Sequence, residues 1–263
     1  MFQRVTTHLR FRRPAFMLVG LALAGLSAFG ARCIENTSVY VDEEGYTHIA
    51  GEMYNDTSIQ GTEMVLRGTL YDAAGNVIAQ KDGPPCPPDT QPNSNITFDL
   101  QFDNPGVPPH ARYDVRAIAG KALTAPLPKP DVVILGTDAV RYEGIPPWFE
   151  FVKDTDVFFR YDVRNRSDQE FTGLQGCAAA YDNTGKVVDA EYGEIVEFLA
   201  DGSTVPATMG NQYAGRVYFS MSGVPASAVL VRGWIWFGPK DAPTSQYQFF
   251  MTPKITIQTD QFP

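Results

Sequence analysis

Few residues of this chain have side chains and spacings suited to catalysis. The histidines are His8, His48 and His110, and no Cys/His pair has the spacing of a zinc site. The sequence contains no Gly-x-Ser-x-Gly, Walker or dinucleotide-binding motif. We therefore predict that the chain has no catalytic residues and no cofactor.

Acidic side chains form three clusters, which are the oxygen-rich sites that calcium would need. They are Asp42-Glu43-Glu44, Asp99 with Asp103, and Asp154 with Asp156. None has the spacing of an EF-hand loop, so solvated turns and strand faces are the expected setting. We predict no metal, and calcium near Asp154 and Asp156 stays open as the alternative.

Two tryptophans, Trp234 and Trp236, alternate along a segment whose other face reads as core, with Val229, Val231, Ile235 and Phe237. They share their face with Arg232. Flat aromatic rings supply a large contact area, so one reading is a platform for a sugar or a protein. The other reading is that the C-terminal tail or a neighbouring domain covers them. Trp148 and Phe149 form a second candidate, a recognition loop that follows two prolines.

Three cysteines are present, Cys33, Cys86 and Cys177. In an exported chain they invite a disulfide. Cys33 and Cys86 fall in the same half of the chain, and we predict that they are bridged. Cys177 reads as a small buried residue in a strand.

A short signature occurs twice, 110 residues apart. Its members are Asn55, Tyr71, Asp72 and Gly75 in the first copy, and Asn165, Tyr181, Asp182 and Gly185 in the second. Equal internal spacing predicts two related domains. The asparagines are expected to bond turn backbone, the tyrosine to fill the core, and Asp-x-x-Gly to form a hairpin turn.

The elements between these residues read as strands. Ile96, Phe98, Leu100 and Phe102 alternate with polar residues, which is the pattern of a half-buried strand. Regular turn signals separate such segments, and after residue 31 no sustained helical period is found. We predict an all-β chain of two tandem immunoglobulin-like antiparallel sandwiches.

The first 32 residues differ from the rest. Four arginines precede an uncharged apolar run over residues 15–31, which is typical of a secretory signal or a retained membrane anchor. Beyond it, residues 33–263 hold 16 basic and 30 acidic residues, a formal net charge of −14. Such a surface disfavours nucleic acid as a partner and leaves the N-terminal segment as the one membrane contact.

The domain boundaries follow from these patterns. We predict a signal or anchor over 1–32, sandwiches over 33–123 and 131–240, and a proline-rich linker over 124–130. The apolar tail over 241–263 is expected to pack on the second sandwich.

The repeated Tyr-Asp with its following Gly and Val resembles the FxLYD domain, a small β-sandwich module of exported bacterial proteins. The chain departs from the family where phenylalanine is expected, with Gly68 and Ala178 there, and Ala180 replaces the leucine of the second copy. The resemblance implies an immunoglobulin-like fold outside the cytoplasm and transfers no chemistry.

Together these patterns predict a non-catalytic secreted or cell-surface protein that acts in binding or assembly. Its partner would be a protein or a cell-surface polysaccharide. Carbohydrate binding through Trp234 and Trp236 is the alternative, followed by an enzyme with an unrecognised site. Function is expected where the two copies differ.

Overall fold

The computed structural model describes residues 34–42, 44–122, 132–143, 153, 155–172, 174–199, 203–210, 212–237 and 248–261. These residues contain strands and no helix, which confirms the all-β prediction. The segment 1–32, the linker 124–130, and Cys33, Trp148, Phe149 and Asp154 lie outside them. Among the described residues, none forms a helix of the length and apolarity needed to cross a membrane.

The first unit is a sandwich of two three-stranded antiparallel sheets, ordered β1-β2-β5 and β4-β3-β6. Its strands are β1 (Ile34–Val41), β2 (Thr47–Asn55), β3 (Gly61–Tyr71), β4 (Val77–Gly83), β5 (Ser94–Gln101) and β6 (Arg112–Ala122). Ile96, Phe98 and Leu100 of β5 are buried in the core as predicted, but the strand is not half-buried, because Thr97 on its other face is buried too. They pack with Ile49, Leu66 and Leu70.

The second unit is a larger sandwich whose strands follow one continuous hydrogen-bonded path. Its strands are β7 (Val132–Glu143), β8 (Val157–Asn165), β9 (Gln175–Tyr181), β10 (Val187–Glu194), β11 (Val196–Phe198), β12 (Thr204–Pro206), β13 (Ala214–Met221), β14 (Leu230–Phe237), β15 (Gln248–Met251) and β16 (Ile255–Gln261). The path runs β10-β9-β14-β16-β7-β8-β13-β11-β12, with β15 beside β14. Phe159, Tyr161 and Phe219 fill the space between its two layers.

The C-terminal segment closes one side of this second sandwich. β15 pairs antiparallel with β14, while β16 pairs with β14 at Leu230 and Val231 and runs parallel to β7. The start of β16 pairs with β14 and the remainder, from Ile257 to Gln261, pairs with β7, so β16 links these two strands.

The two copies of the signature build the same local structures. Gly75 and Gly185 have φ of +87° and +85°, and each donates its N–H to the carbonyl of Asp72 or Asp182. Glycine is suited to this left-handed backbone because it carries no Cβ. Both turns therefore have the predicted hairpin form.

The signature asparagines also act alike. Asn55 donates to the carbonyl of Ile59 and accepts from the backbone of Thr57. Asn165 donates to the carbonyl of Gln169 and accepts from the backbone of Ser167. Both are buried, so the prediction that they bond turn backbone is confirmed.

The prediction that the signature tyrosines fill the sandwich cores is wrong. Side chains alternate along a strand, and the core positions are taken by Leu70 and Ala180. Tyr71 is half-buried on the outer face of the first unit, where the Arg112 guanidinium lies 4.0 Å from its ring centroid. Tyr181 is fully buried on the outer face of the second unit.

Tyr181 is buried because the two units stack. The outer face of β10-β9-β14 packs against the outer face of β1-β2-β5, giving four sheet layers in all. Ala50 of the first unit belongs to the same apolar cluster as Cys177, Ala179 and Trp234 of the second.

A disulfide crosses this boundary, between Cys86 before β5 and Cys177 in β9. The predicted Cys33–Cys86 bridge is therefore wrong, because the sulfur of Cys86 is already bonded. The sequence could not show that the outer face of β9 lies on the first unit, which brings these cysteines together.

Candidate functional site: a groove at the unit boundary

Adding 110 to a residue number maps β2, β3 and β4 on β8, β9 and β10, and strand pairing supports the mapping. A register shift lies beside Tyr71 where β3 meets β4, and one lies beside Val187 where β9 meets β10. By this correspondence Asp189, Glu191 and Tyr192 of β10 stand where β4 has Ala79, Lys81 and Asp82. The two copies thus differ sharply along one edge strand.

That edge lines a groove of about 690 Å³ between the two units. The first unit contributes Thr97, Asp99 and Gln101, which are alternate residues of β5 on its outer face. The second unit contributes Gln175, Glu191, Tyr192 and Trp236. Pro84, Pro85 and Pro88 of the proline-rich loop complete the lining, next to the disulfide at Cys86.

An aromatic pair presents the apolar surface of this groove. The rings of Tyr192 and Trp236 stack with centroids 5.9 Å apart and an angle of 22° between their planes. Tyr192 is 63% exposed, whereas Trp236 is 6% exposed. Tyr192 therefore offers the accessible ring, and Trp236 supports it from beneath.

The groove also carries carboxylates with shifted pKa values. Burial, with the charges of Asp189, Asp156 and Asp99, raises the pKa of Glu191 to about 7 against the lowering effect of a backbone hydrogen bond. Its Oε2 accepts that bond from the N–H of Ser222 at 2.5 Å. A carboxyl group with this pKa both donates and accepts hydrogen bonds near neutral pH.

Asp99 belongs to a cluster that centres on His48. The imidazole Nδ1 lies 2.7 Å from Asp99 Oδ2, and Nε2 lies 3.1 Å from Asp42 Oδ2. Tyr40 stacks on the imidazole with centroids 4.7 Å apart. Burial lowers the pKa of His48, but hydrogen bonds and charges from Asp99 and Asp42 outweigh it, and the pKa lies above its ordinary value. Asp99 is thus part of a covered face, not the solvated strand face that the sequence suggested.

The opposite end of the boundary is organised around Glu52, which is 1% exposed. Its carboxylate accepts hydrogen bonds from Asn36 Nδ2 at 2.5 Å, Tyr181 Oη at 2.7 Å and Arg232 Nη1 at 3.0 Å. Burial alone would raise the pKa of Glu52, but these bonds and the charges of Lys254 and Arg232 hold it below its ordinary value. This end is a buried structural contact between the two units.

Of the two readings of Trp234, Trp236 and Arg232, cover by a neighbouring domain is the one observed, and Trp236 alone of the three lines the groove. Trp234 is 0% exposed, and its Nε1 donates to the carbonyl of Asn95 in the first unit at 2.7 Å. Arg232 pairs with Glu52. Packing between the units, which the sequence left open, covers this face, while the tail pairs with the edge of β14. Val231, Ile235 and Phe237 are core as predicted, whereas Val229 is 41% exposed.

Among the remaining predicted candidates, those that lie within the described residues give no site. Asp156 is buried and accepts hydrogen bonds from the N–H groups of Lys153 and Gly223, so it shapes a loop. Among the described residues, no three His, Cys, Asp or Glu side chains are grouped as metal ligands. The sequence missed Tyr192, Glu191 and Asp189, although aligning the two copies would have marked them as the positions that differ.

Comparison with known proteins adds no family. No family model and no curated protein matches the chain. A penta-heme cytochrome c552 from Thermochromatium tepidum is 12% identical with a TM-score of 0.26, covering 48% of this chain and 39% of that one. A calcium-binding mutant of Bacteroides uniformis beta-glucuronidase 2 is 10% identical with a TM-score of 0.27, covering 87% and 30%.

Red sea bream transglutaminase is 9% identical with a TM-score of 0.23, covering 87% of this chain and 32% of that one. The chain therefore spans between 30% and 39% of the length of these three structures. At such TM-scores the likeness is too low to support a fold or a function.

Proposed function

We propose that this chain is a non-catalytic binding protein of the cell exterior whose ligand is a carbohydrate, held in the boundary groove. The observation that carries the proposal is the exposed ring of Tyr192, stacked on Trp236 and flanked by carboxyl and amide groups. Aromatic faces pack on the apolar faces of sugar rings, and amide and carboxyl groups bond their hydroxyls.

The groove suits this ligand class for two further reasons. Its polar lining combines donors and acceptors, with the amides of Gln101 and Gln175, the hydroxyl of Thr97 and the carboxyl of Glu191. It is also held open by rigid parts, since both walls are strands and the loop beside them is tied down by the disulfide. A preformed site loses little entropy when a ligand binds.

An export signal over residues 1–32 and a polysaccharide of the cell surface are part of the same proposal. The net charge of −14 over residues 33–263 disfavours nucleic acid, which is a competing class of partner.

Isothermal titration calorimetry with a panel of neutral oligosaccharides and cell-wall polysaccharides tests the proposal. We expect one of these glycans to bind the wild type and Tyr192→Ala to bind it about tenfold more weakly, because a ring contact contributes about 1.4 kcal/mol. Tyr71→Ala is the matched control, since Tyr71 is a half-buried ring on the opposite outer face. Absence of binding across the panel, or equal binding by Tyr192→Ala, would overturn the proposal.

A further inference from the structure

Six ionisable side chains from both units meet at the end of the boundary where His48 lies. The first unit provides Tyr40 on β1, Asp42 after β1, His48 on β2 and Asp99 on β5, and the second unit provides Asp189 and Glu191 on β10. We call these six residues the boundary cluster.

Asp99 and Asp189 share one hydroxyl across the boundary. The Tyr40 oxygen lies 3.5 Å from Asp99 Oδ2 and 3.2 Å from Asp189 Oδ1. A phenol has one hydrogen, so it cannot fully satisfy two carboxylates. Asp99 Oδ1 and Asp189 Oδ2 are both buried and lack a hydrogen-bond partner within the described part of the chain.

The charges around this pair are mostly of one sign. Glu191 follows Asp189 on the same strand, and the charge of Asp156 also acts on Glu191. Among the described residues, the ion pairs of the cluster's four carboxylates are those of His48 with Asp42 and Asp99. Fully ionised, the cluster would hold four negative charges beside one imidazolium, in a setting where charges are poorly screened.

We propose that this end of the unit boundary is a pH-sensitive latch. A proton held on the carboxyl pair Asp99 and Asp189 lets β10 close on β1 and β5, and loss of that proton loosens the contact. The proton would give one carboxyl an O–H donor, which neither has when both are ionised. A second contact beside the cluster, from the Ser38 hydroxyl to the carbonyl of Val187, would open with it.

Charge and burial act in the same direction on these groups. Burial, followed by the charge of Asp99, raises the pKa of Asp189 to about 6. Burial raises the pKa of Asp99 too, although hydrogen bonding and charge from His48 oppose it. A carboxyl group with a raised folded pKa contributes stability that is present below its unfolded pKa and lost as pH rises through the folded value. The latch should therefore be closed at pH 5 and weakened at pH 8, and the raised pKa of His48 acts in the same sense.

Urea unfolding and amide hydrogen exchange at pH 5 and pH 8 test the latch. We expect the folding equilibrium constant of the wild type to fall by about tenfold or more at pH 8, one pKa unit being worth a factor of ten. After correction for intrinsic rates, amides of β1 and β10 should lose protection at pH 8, while those of β13 should not.

Asp189→Asn removes the ionisable group and keeps its shape, so the fall should become about tenfold smaller, and the titration of Glu191 and His48 gives the part that remains. Asp182→Asn, in an exposed turn, is the control and should keep it. An unchanged fall in Asp189→Asn, or no fall in the wild type, overturns the latch. Asp189→Ala is the second variant, because the corresponding strand position is Ala79 in the first unit, and it should reduce the fall as Asp189→Asn does.

A direct measurement on the wild type does not depend on any variant folding. Carboxyl-carbon NMR should show Asp189 titrating with a pKa well above 3.8, the ordinary value for an aspartate. Titration of both Asp99 and Asp189 near that ordinary value would overturn the proposal.

Discussion

The corresponding strands β6 and β14 differ in the exposure of their outer faces. Arg116 of β6 and Trp234 of β14 occupy matching places, since each pairs with the residue at the same position of β3 or β9. Arg116 is exposed and Trp234 is completely buried. The same framework therefore makes a solvated surface in one copy and a domain contact in the other.

The outer face of β2, which the second unit covers, and the matching outer face of β8 show the same contrast. We call these two the receiving faces. Ala50 and Glu52 of β2 are buried under the second unit, while the matching residues of β8 are Arg160 and Asp162. Arg160 pairs with Asp138, and Asp162 pairs with Arg216, on a surface that no described residue covers. A stack of two units is thus ended on both sides by charged or polar faces, as terminal repeats generally are.

Breaking the disulfide should have the largest effect on the covered face. The bond closes a loop of 91 residues, and the chain-entropy model assigns such a loop about 4.6 kcal/mol of stability. We expect the double variant Cys86→Ser with Cys177→Ala to lose roughly this amount in urea unfolding without reductant. Cys33→Ala is the control and should keep full stability; an equal loss there would support the pairing predicted from the sequence.

Truncating the matched residues of β6 and β14 tests the contrast directly. Trp234→Ala should lower the free energy of unfolding by about 4 kcal/mol, because it leaves a large cavity and orphans the carbonyl of Asn95. Arg116→Ala should change it by less than about 0.5 kcal/mol. Chemical denaturation of both variants measures the difference, and similar losses would mean that the two faces are not opposites.

Neutralising matched carboxylates on the receiving faces should give a smaller but clear difference. Glu52→Gln should cost about 3 kcal/mol, because Arg232 and Lys254 would be left facing a neutral group in a buried site. Asp162→Asn breaks an exposed pair and should cost about 0–1 kcal/mol. Equal losses, measured by urea unfolding at neutral pH, would contradict the assignment of Glu52 to a buried contact.

The same carboxylate gives this end of the boundary an opposite pH dependence to the latch. Its folded pKa is lowered from 4.5, so its contribution is present above that value and is lost as pH falls through the folded pKa. The wild type should thus lose stability in acid through Glu52. In Glu52→Gln, the free energy of unfolding measured in urea should fall less steeply as the pH is lowered.

Local patterns in the sequence predicted the strands and turns, because period-two burial and Asp-x-x-Gly depend on neighbouring residues. They also showed that Trp234 lies off the core of its own sandwich. What covers Trp234 could not be predicted, since its partner Asn95 is 139 residues away. For the same reason Asp99 read as a solvated residue and Cys177 as an unpaired one. The groove exists only where the two outer faces meet, so its residues gave no signal beyond their difference between the copies.

Substitutions in the paired turns should be the smallest of these changes and should act equally in both units. Gly75→Ala and Gly185→Ala each place a Cβ on left-handed backbone, which costs about 1 kcal/mol even though no atom lies within 4 Å. Gly210→Ala is the control, because that glycine has equal space around it and no positive φ. Thermal unfolding should show matching losses for Gly75→Ala and Gly185→Ala, and none for Gly210→Ala. Matching losses would mean that the turn has the same structural role in both units. Unequal losses would mean that the surroundings of the turn differ between the first and the second unit.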